Sequence, residues 1–478
     1  MLSLVLLASL SVALASNPRV FVLTDIANEP DDAMSLTRFL LYSNEFSVQG
    51  ICATTSIWLP DSTHVEQIQS HIASYAEVVD NLNAHVAREA QYPSAAELLS
   101  KTFVGYPAYG MDAVGEGKSS NGSRALMQAV AASDEPTWVT IWGGANVLAQ
   151  AVWEYEQKHS TEEVDNFIAK LKVYSISDQD NAGAWLRHRH NSIFWILSVH
   201  GMNLYTIATW VGISGEGFYP FDAGGPDSSL VTNEWLDTNI RNVSIFGSTY
   251  PDFEFIMEGD TPTFLSLIQN GLNVVGKPRW GGWGGRYSRI STFDNLYVNA
   301  FDCNVVGQNG ANFTSAQATI WRWRNAYQWD FSGRMHWSAT ADFSAANHNP
   351  VVVVNGSNAV AEALYLTVRP GDTVILDASE THDPDGDALA SVTFWQYLDV
   401  SQFQQAFQAT PALGVVQNGL TAVITVPSPD AFATTWADWT SGRGANEDDM
   451  SLHVVVEVWD QGVPSLVGYK RVVLTVQL

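Results

Sequence analysis

The chain has few cysteines and few basic residues. Two cysteines, Cys52 and Cys303, among 478 residues exclude a small disulfide framework, and the sequence leaves open whether they pair. Only 23 Lys and Arg stand against 50 Asp and Glu, which gives a net charge of −27. Such a surface repels phosphate backbones and anionic membranes. We therefore expect no nucleic-acid partner and no membrane partner.

Long apolar runs are also missing, except at the N-terminus. Residues 1–16 are apolar and end in small residues, which is typical of a secretory signal peptide, although the first residues include no Lys or Arg. The sequons fit the same interpretation and begin at Asn121, Asn242, Asn312 and Asn355. We expect a secreted, extracellular glycoprotein.

Hydrophobic and aromatic residues are abundant. They make up a 46% hydrophobic content that includes 18 tryptophans. A chain of this length and composition favours two domains with large cores. Indole rings fill cores and also form platforms for sugar rings, so the composition permits a carbohydrate ligand without demonstrating one. The tryptophans that could line a saccharide cleft are Trp58, Trp142, Trp185, Trp280 and Trp283.

The first domain should be α/β. Short β-branched runs alternate with amphipathic stretches up to about residue 277, which is typical of βαβ units in a doubly wound, mostly parallel sheet. We place this domain at 17–345 and interpret 278–345 as elaborated loops. The predicted strands are 20–24, 47–54, 137–141, 173–176 and 204–208, and the predicted helices are 65–76, 123–132, 146–157 and 163–170.

The second domain, 346–478, should be an immunoglobulin-like β-sandwich. Roughly seven short strands separated by turns predict this fold. Its turn Asp383–Asp387 resembles the Asp-Pro-Asp-Gly-Asp turns of PKD and cadherin-like modules, which can bind calcium or serve as plain turns. The predicted strands are 351–354, 363–368, 373–377, 392–397, 421–426, 452–460 and 471–476.

An acidic loop follows the first predicted strand. Asp25, Glu29, Asp31 and Asp32 are so close that they raise each other's pKa unless a cation compensates. They also stand at a carboxyl end of a strand, where open α/β sheets bind ligands. The alternative is that Asp31 or Asp32 caps the following helix, but one cap does not require four acids. We predict a hard-metal site with a catalytic carboxylate beside it.

This loop resembles the N-terminal signature of the nucleoside hydrolase family, which is Asp-x-Asp, three residues, then Asp-Asp-Ala. Asp25 and Asp31-Asp32-Ala33 match the signature, whereas Leu23 replaces its first Asp and the loop is two residues longer. Downstream, Val139–Asn146 resembles the family's strand and glycine turn, and Met257–Pro262 resembles its late metal-binding segment.

Three segments together are similar to a secreted subfamily of nucleoside-hydrolase-like proteins described as cellulose-binding, which carry a C-terminal β-sandwich. These segments are Thr24–Asp32, Leu41–Glu45 and Glu258–Pro262, and the resemblance covers nearly the whole mature chain. It implies a Ca²⁺ site and a general base on a metal-bound water, with inversion at the anomeric carbon. The implied metal ligands are Asp25, Asp32, Asp260 and the Ala145 carbonyl, and the implied base is Asp31.

Two departures from the family argue against a nucleoside substrate. Gly259 stands where the family has a His associated with the leaving group, and Thr55-Ser56 replace its Gly-Asn loop. Conceivable leaving-group acids are then Glu29, His64 and Glu258. The residue types of an ordinary turn also account for three of the substrate-binding candidates, Asp178, Asp180 and Asn181. The full set of substrate-binding candidates is Asn146, Asp178, Asp180, Asn181, Trp185 and Glu258.

The leading hypothesis is a secreted, calcium-dependent glycosidic-bond hydrolase that acts on a saccharide. The alternative belongs to a different class. It is a non-catalytic carbohydrate (cellulose)-binding protein on a nucleoside-hydrolase-like scaffold that has lost turnover. A fold alone does not decide between them, because function is a property of the site.

Overall fold

The computed structural model describes residues 17–291, 293–401, 411–431 and 451–477, so the predicted signal peptide, 1–16, lies outside the described residues. No helix among them is both long and apolar enough to span a membrane. The helices are α1 (Pro30–Leu41), α2 (Val65–Ala76), α3 (Val79–Ala84), α4 (Ala95–Ser100), α5 (Asn121–Ala131), α6 (Asn146–Glu156), α7 (Thr161–Ala169), α8 (Ala182–Arg189), α9 (Asn233–Leu236), α10 (Pro262–Leu265), α11 (Ala318–Trp321) and α12 (Arg324–Ala339).

A large, mostly parallel sheet organises the first part of the chain, in the order β3-β2-β1-β4-β5-β6-β8-β7. The edge strand β7 is antiparallel to β8. Chain order runs outward from β1 to β3 on one side and from β4 to β6 on the other, so a crevice opens between β1 and β4. The strands to this point are β1 (Arg19–Thr24), β2 (Ser47–Ala53), β3 (Thr102–Val104), β4 (Thr137–Ile141), β5 (Leu171–Ser175), β6 (Phe194–Leu197), β7 (Tyr287–Arg289), β8 (Leu296–Asn299), β9 (Asp302–Val306) and β10 (Asn312–Ser315).

The central strand β1 alternates between two cores. Val20 and Val22 belong to the core shared with α1, α2 and α12, whereas Phe21 and Leu23 belong to the core shared with α5 to α8. All four side chains have no exposed surface. Helices on both faces explain why this strand is apolar throughout, and they confirm the mixed α/β prediction.

Two predictions in this part of the chain were wrong. Residues 204–208 form a 3₁₀ turn with Leu204 and Ile207 exposed, and the sheet strand is instead β6, whose four residues are all buried. A strand covered on both faces has no alternation to reveal it. Residues 278–345 contain β7 to β10 and the 16-residue α12, not only loops. Gln328 and Arg334 on the buried face of α12 interrupt its apolar stripe.

The C-terminal part forms two sheets that share one buried core. Their orders are β11-β17-β16-β13 and β12-β15-β14, with mostly antiparallel pairing. The predicted strand 351–354 contributes only isolated bridges, and β14 was not predicted. The strands are β11 (Leu364–Val368), β12 (Thr373–Asp377), β13 (Leu389–Gln396), β14 (Gly414–Asn418), β15 (Thr421–Thr425), β16 (Ser451–Asp460) and β17 (Val467–Val476).

Two carboxylates of the Asp383–Asp387 turn contact other groups of the protein, although Oδ2 of Asp383 has no hydrogen-bond partner among the described residues. Asp383 accepts the backbone N–H groups of Asp385 and Asp387, and Asp385 pairs with His348 at 2.9 Å. These contacts are those of an ordinary turn. The contact with His348 also holds the turn against the segment that precedes the sandwich.

The two parts of the chain pack together through the outer face of the four-stranded sheet. The buried Arg471 of β17 donates to the carbonyl oxygens of Leu272, at 2.7 Å, and Gly281, at 2.9 Å. On β16, Val455 joins the core that includes α1 and α12, while Val454 and Val456 face the core between the two C-terminal sheets. A strand's period of two therefore divides β16 between two cores.

His453 should make stability depend on pH. Its ring is fully buried at this junction, 4.6 Å from the Trp280 ring, and burial together with Arg471 lowers its pKa well below the usual value. His453 therefore stays neutral in the folded protein, whereas in the unfolded chain it takes up a proton once the pH falls below its ordinary pKa. Because this proton uptake favours the unfolded chain, the free energy of unfolding decreases as the pH falls. Relative to His453→Gln, wild type should lose about 1.4 kcal/mol between pH 7.5 and 5.5 in denaturant unfolding. The exposed His382→Gln should show no such difference, and equal behaviour of the two variants would contradict the assignment.

Candidate active site

A cluster of carboxylates lies at the carboxyl edge of the parallel sheet. Asp25 follows β1, Asp31 and Asp32 lie in the first turn of α1, and Asp260 precedes α10. One oxygen from each of Asp31, Asp32 and Asp260 lies within 4.8 Å of the others. In the described part of the chain, this is the one group of three or more His, Cys, Asp or Glu side chains placed to share an ion. Asp25 lines the same cavity.

The start of α1 explains the position of two of these acids. Glu29 is the N-cap residue, with extended backbone and no side-chain cap hydrogen bond, and Pro30 opens the helix. Asp31 and Asp32 therefore do not cap the helix. They lie inside its first turn, where the helix dipole favours negative charge.

The carboxylates of the cluster are buried, and burial together with their mutual repulsion raises their pKa values. Asp25, Asp32 and Asp260 are at most 4% exposed, while Asp31 is half-buried. Burial raises the pKa of Asp25 to about 6, and burial with the charges of Glu29 and Asp25 raises the pKa of Asp31 to about 7. Burial and neighbouring carboxylates raise the pKa values of Asp32 and Asp260 well above the usual range.

Two oxygens of the cluster have no hydrogen-bond partner within the protein. They are Oδ1 of Asp25 and Oδ2 of Asp260. A buried carboxylate oxygen without a donor is costly, and a divalent cation bound by oxygens would satisfy both. The donor set therefore fits a hard metal ion.

The glycine turn after β4 is pressed against this cluster. A Cβ at Gly143 would lie 2.6 Å from Oδ1 of Asp25, and one at Gly144 would lie 2.4 Å from the Thr55 carbonyl oxygen. Both glycines are thus required by close approach at the crevice between β1 and β4. The neighbouring Ala145 carbonyl accepts the Ala149 N–H at 3.0 Å as α6 begins.

The carboxylates form the base of a cavity of about 180 Å³ whose walls are aromatic. Of the aromatic residues that line this cavity, the sequence analysis named only Trp58. The others come from irregular segments between β6 and α10 that no periodicity marks, although their density of aromatic residues was a usable signal. The aromatic lining consists of Trp58, Tyr205, Trp210, Phe218, Tyr219 and Phe255.

Three of the predicted substrate-binding residues hold loops together instead of lining this cavity. Asp180 accepts the N–H groups of Asn146, at 3.1 Å, and Ala182, at 2.8 Å. The Asn146 amide donates to Thr55, and Oδ1 of Asn181 accepts the Met111 N–H at 2.8 Å. These contacts position the loops after β2, β4 and β5.

The other predicted substrate-binding residues are also engaged elsewhere. Asp178 forms an ion pair with Arg187 at 2.5 Å, and Trp185 packs against the core under α5 to α8. Glu258 is fully buried and pairs with Arg38 at 2.7 Å. The remaining tryptophans considered for the cleft, Trp142, Trp280 and Trp283, are buried in the core.

The Arg38–Glu258 ion pair supports the cluster indirectly. Tyr250 also donates to Glu258, at 2.6 Å. Glu258 has a φ of 59°, a left-handed conformation that non-glycine residues rarely adopt. Because Asp260 follows two residues later, the ion pair fixes the turn that carries Asp260 into the cluster.

The fold and the acidic site define a protein of the nucleoside-hydrolase-like class. A family model described as cellulose-binding Sde182, nucleoside hydrolase-like domain, matches residues 19–287. A second, described as cellulose-binding protein Sde0182, C-terminal domain, matches residues 373–476. The chain belongs to this Sde182 family.

One solved structure agrees with this assignment. A nucleoside hydrolase-related hypothetical protein from Saccharophagus degradans, associated with carbohydrate metabolism, is 30% identical, with a TM-score of 0.75 over 97% of this chain and 100% of its own. An inosine-uridine preferring nucleoside hydrolase from Bacillus anthracis is 12% identical, with a TM-score of 0.34 over 67% of this chain and 99% of its own. No curated protein matches the sequence.

Proposed function

We propose that the protein is a calcium-dependent hydrolase of glycosidic bonds in a saccharide. The observation that carries this proposal is the buried carboxylate cluster, with unpartnered oxygens, at the base of an aromatic-walled cavity. Aromatic walls suit sugar rings, and buried acids suit a metal ion and general acid–base chemistry. The family description as cellulose-binding supports a carbohydrate ligand.

The proposed calcium ligands are Asp25, Asp32 and Asp260, which are the most buried members of the cluster. The Ala145 carbonyl, already accepting one helical hydrogen bond, has a second lone pair for the ion. When bound, Ca²⁺ would orient and acidify a water molecule.

Asp31 is the proposed general base. It is the member of the cluster that is only half-buried, so it reaches both the ion site and the open part of the cavity. Of the three conceivable leaving-group acids, Glu29 lines the cavity, whereas His64 pairs with Glu66 and Glu258 pairs with Arg38. A base and an acid acting on opposite faces of the sugar would give inversion.

A nucleoside is the less favoured substrate. A Cβ at Gly259 would lie 2.9 Å from Oδ2 of Asp31 and 3.0 Å from the Trp210 ring. A histidine at this position would therefore require the Asp31 carboxylate or the Trp210 ring to shift. Without it, the leaving group must be one that Glu29 or solvent can protonate, which suits a sugar hydroxyl.

The experiment is release of reducing sugar by the wild-type protein, with Ca²⁺ or with chelator, across nucleosides, plant and fungal polysaccharides and synthetic glycosides. We expect release from a saccharide that chelator abolishes. Nucleoside hydrolysis alone would contradict the substrate class. Binding without any release would favour the alternative, a non-catalytic carbohydrate-binding protein.

Calcium should stabilise the protein through Asp260. At a free Ca²⁺ concentration of 100 times its Kd, binding adds about 2.7 kcal/mol to the free energy of unfolding. Differential scanning calorimetry with Ca²⁺ or chelator should show this gain in wild type and little of it in Asp260→Asn. Asp178→Asn is the matched control, because Asp178 pairs with Arg187 away from the cavity. An equal calcium response in both variants would contradict the proposed ligand set.

We also propose that the protein is secreted and glycosylated, with a catalytic domain at 17–345 and an immunoglobulin-like sandwich at 346–478. The two C-terminal sheets with a shared core support the sandwich. All four sequon asparagines are exposed, which supports their glycosylation. A mass decrease of the secreted protein on treatment with an N-glycosidase is the expected result.

A further inference from the structure

A second, larger groove lies where the two parts of the chain meet. Its volume is about 610 Å³, which is within the 300–1,000 Å³ typical of small-ligand sites. One wall is formed by β9 and the turn toward β10, another by the α11–α12 junction, and the third by β13 and β16. None of the residues that line the acidic cavity lines this groove.

The alternation of side chains along β16 explains which of its residues face this groove. Val456 and Val458 point into the core between the C-terminal sheets, so Glu457 and Trp459 point to the opposite face. Val455, on the same face as Glu457, is covered by the α/β part of the chain. Glu457 and Trp459 are only half-buried, as is Trp395 of β13, and the two indoles pack in part against the α/β core.

The groove combines aromatic rings with a hydrogen-bonding carboxylate. Trp459 Nε1 donates to Oε1 of Glu457 at 2.7 Å, which fixes the indole beside the carboxylate. The rings of Trp395 and Trp323 are 5.9 Å apart, so a series of indoles continues onto the α11–α12 junction. Exposed Asn304 and Asn325 add neutral polar groups at the edges.

The two arginines that line the groove already pair with carboxylates of the protein, so neither is available to an anionic ligand. Arg324 pairs with Glu216 at 2.5 Å. Arg322 lies 5.2 Å from the Trp395 ring, but its guanidinium pairs with the buried Asp302 at 2.7 Å and with Asp399 at 3.3 Å. The net charge of −27 further disfavours anionic polymers. The groove therefore suits an uncharged ligand that presents flat apolar faces and hydroxyl groups.

We propose that this groove is a second saccharide-binding site, which takes a neutral glucan chain of the cellulose type separately from the acidic cavity. The inference rests on the proposed saccharide ligand of this protein and names where its polymer is held. Binding in the groove keeps the chain at a high local concentration near the cavity on the same molecule. Trp395 and Trp459 supply the stacking surfaces, and Glu457 accepts hydrogen bonds from sugar hydroxyls.

The test compares binding by calorimetry with cellohexaose and by depletion from amorphous cellulose. Trp459→Ala and Trp395→Ala should each weaken binding by about tenfold or more, which is the loss of one buried aromatic contact. Trp153→Ala is the matched control, because Trp153 is a half-buried tryptophan of α6 outside both cavities.

Circular dichroism and the melting temperature verify that each variant is folded, and Glu457→Gln provides a smaller change in the same groove. Wild-type affinity in the folded Trp459→Ala variant, no binding of cellohexaose by wild type, or preferred binding of polygalacturonate would each overturn the groove proposal. Hydrolysis is measured separately from cellulose binding. Hydrolysis of short glycosides without cellulose binding refutes the groove alone, whereas groove-dependent binding without any hydrolysis refutes the hydrolase alone.

Discussion

Asp31→Asn should lower kcat for glycoside hydrolysis by about 10²–10⁴-fold, because the substitution removes the carboxylate that accepts a proton from the attacking water. The side chain keeps its size and its place in the first turn of α1, so the cavity and its aromatic walls stay intact. Initial rates on the best substrate of the panel, at saturating Ca²⁺, measure the effect.

The control for this prediction is Asp178→Asn, the same chemical change at a carboxylate outside the cavity. It should retain the wild-type kcat. Binding of cellohexaose should be unchanged in Asp31→Asn, since the groove is separate from the cluster. A kcat within a few-fold of wild type, with hydrolysis clearly present, would exclude Asp31 as the general base.

Arg38→Met should cost about 3–5 kcal/mol in the free energy of unfolding, because it leaves the fully buried Glu258 carboxylate without its cation. Burial raises the pKa of Glu258 even with Arg38 present, so proton uptake by Glu258 in the variant should relieve part of the loss. Arg38 also donates to Gln328 and to the Tyr327 carbonyl, which lie on α12. The variant should therefore loosen α12 from α1 and displace the turn that carries Asp260. Denaturant unfolding measures the stability, and calcium titration measures the displacement of Asp260.

The matched control is Arg187→Met, the same substitution in the partly exposed Arg187–Asp178 pair. Such a pair contributes at most about 1 kcal/mol. Adding Glu258→Gln to Arg38→Met should recover part of the loss, since it removes the buried charge while keeping an acceptor for the Tyr250 hydroxyl. Equal costs for Arg38→Met and Arg187→Met would show that the buried pair has no special role.

Local pattern was sufficient to locate many of the regular elements. The helix 65–76 and the strands 137–141 and 373–377 have the predicted bounds, because the helix carries its own apolar periodicity and the two strands are short β-branched runs between clear breaks. The prediction failed where neighbours, rather than the local sequence, decide burial. The strand β6 and the helix α12 lack a clean pattern because one is buried on both faces and the other buries polar side chains.

The acidic site could be predicted because its residues are close in the sequence and of one chemical type. Asp25, Asp31 and Asp32 all converge at the cavity, with Asp260 joining from a distant segment that the family resemblance indicated. The predicted substrate residues Asp180 and Asn181 have the same kind of side chain, yet they hold loops in place. Residue type alone does not distinguish an oxygen that binds a ligand from one that caps a backbone N–H.

The sequence by itself determined the α/β pattern, the C-terminal strands, the acidic loop and the family to which the chain belongs, because these depend on local periodicity and short motifs. Only the tertiary structure decided which oxygens lack partners, which aromatic rings surround the carboxylates, and that Glu258 serves an internal ion pair. It also decided that the outer face of β16 is fully buried at Val455 and half-buried at Trp459. Burial and hydrogen-bond partners come from segments far apart in the chain, and no local pattern encodes those contacts.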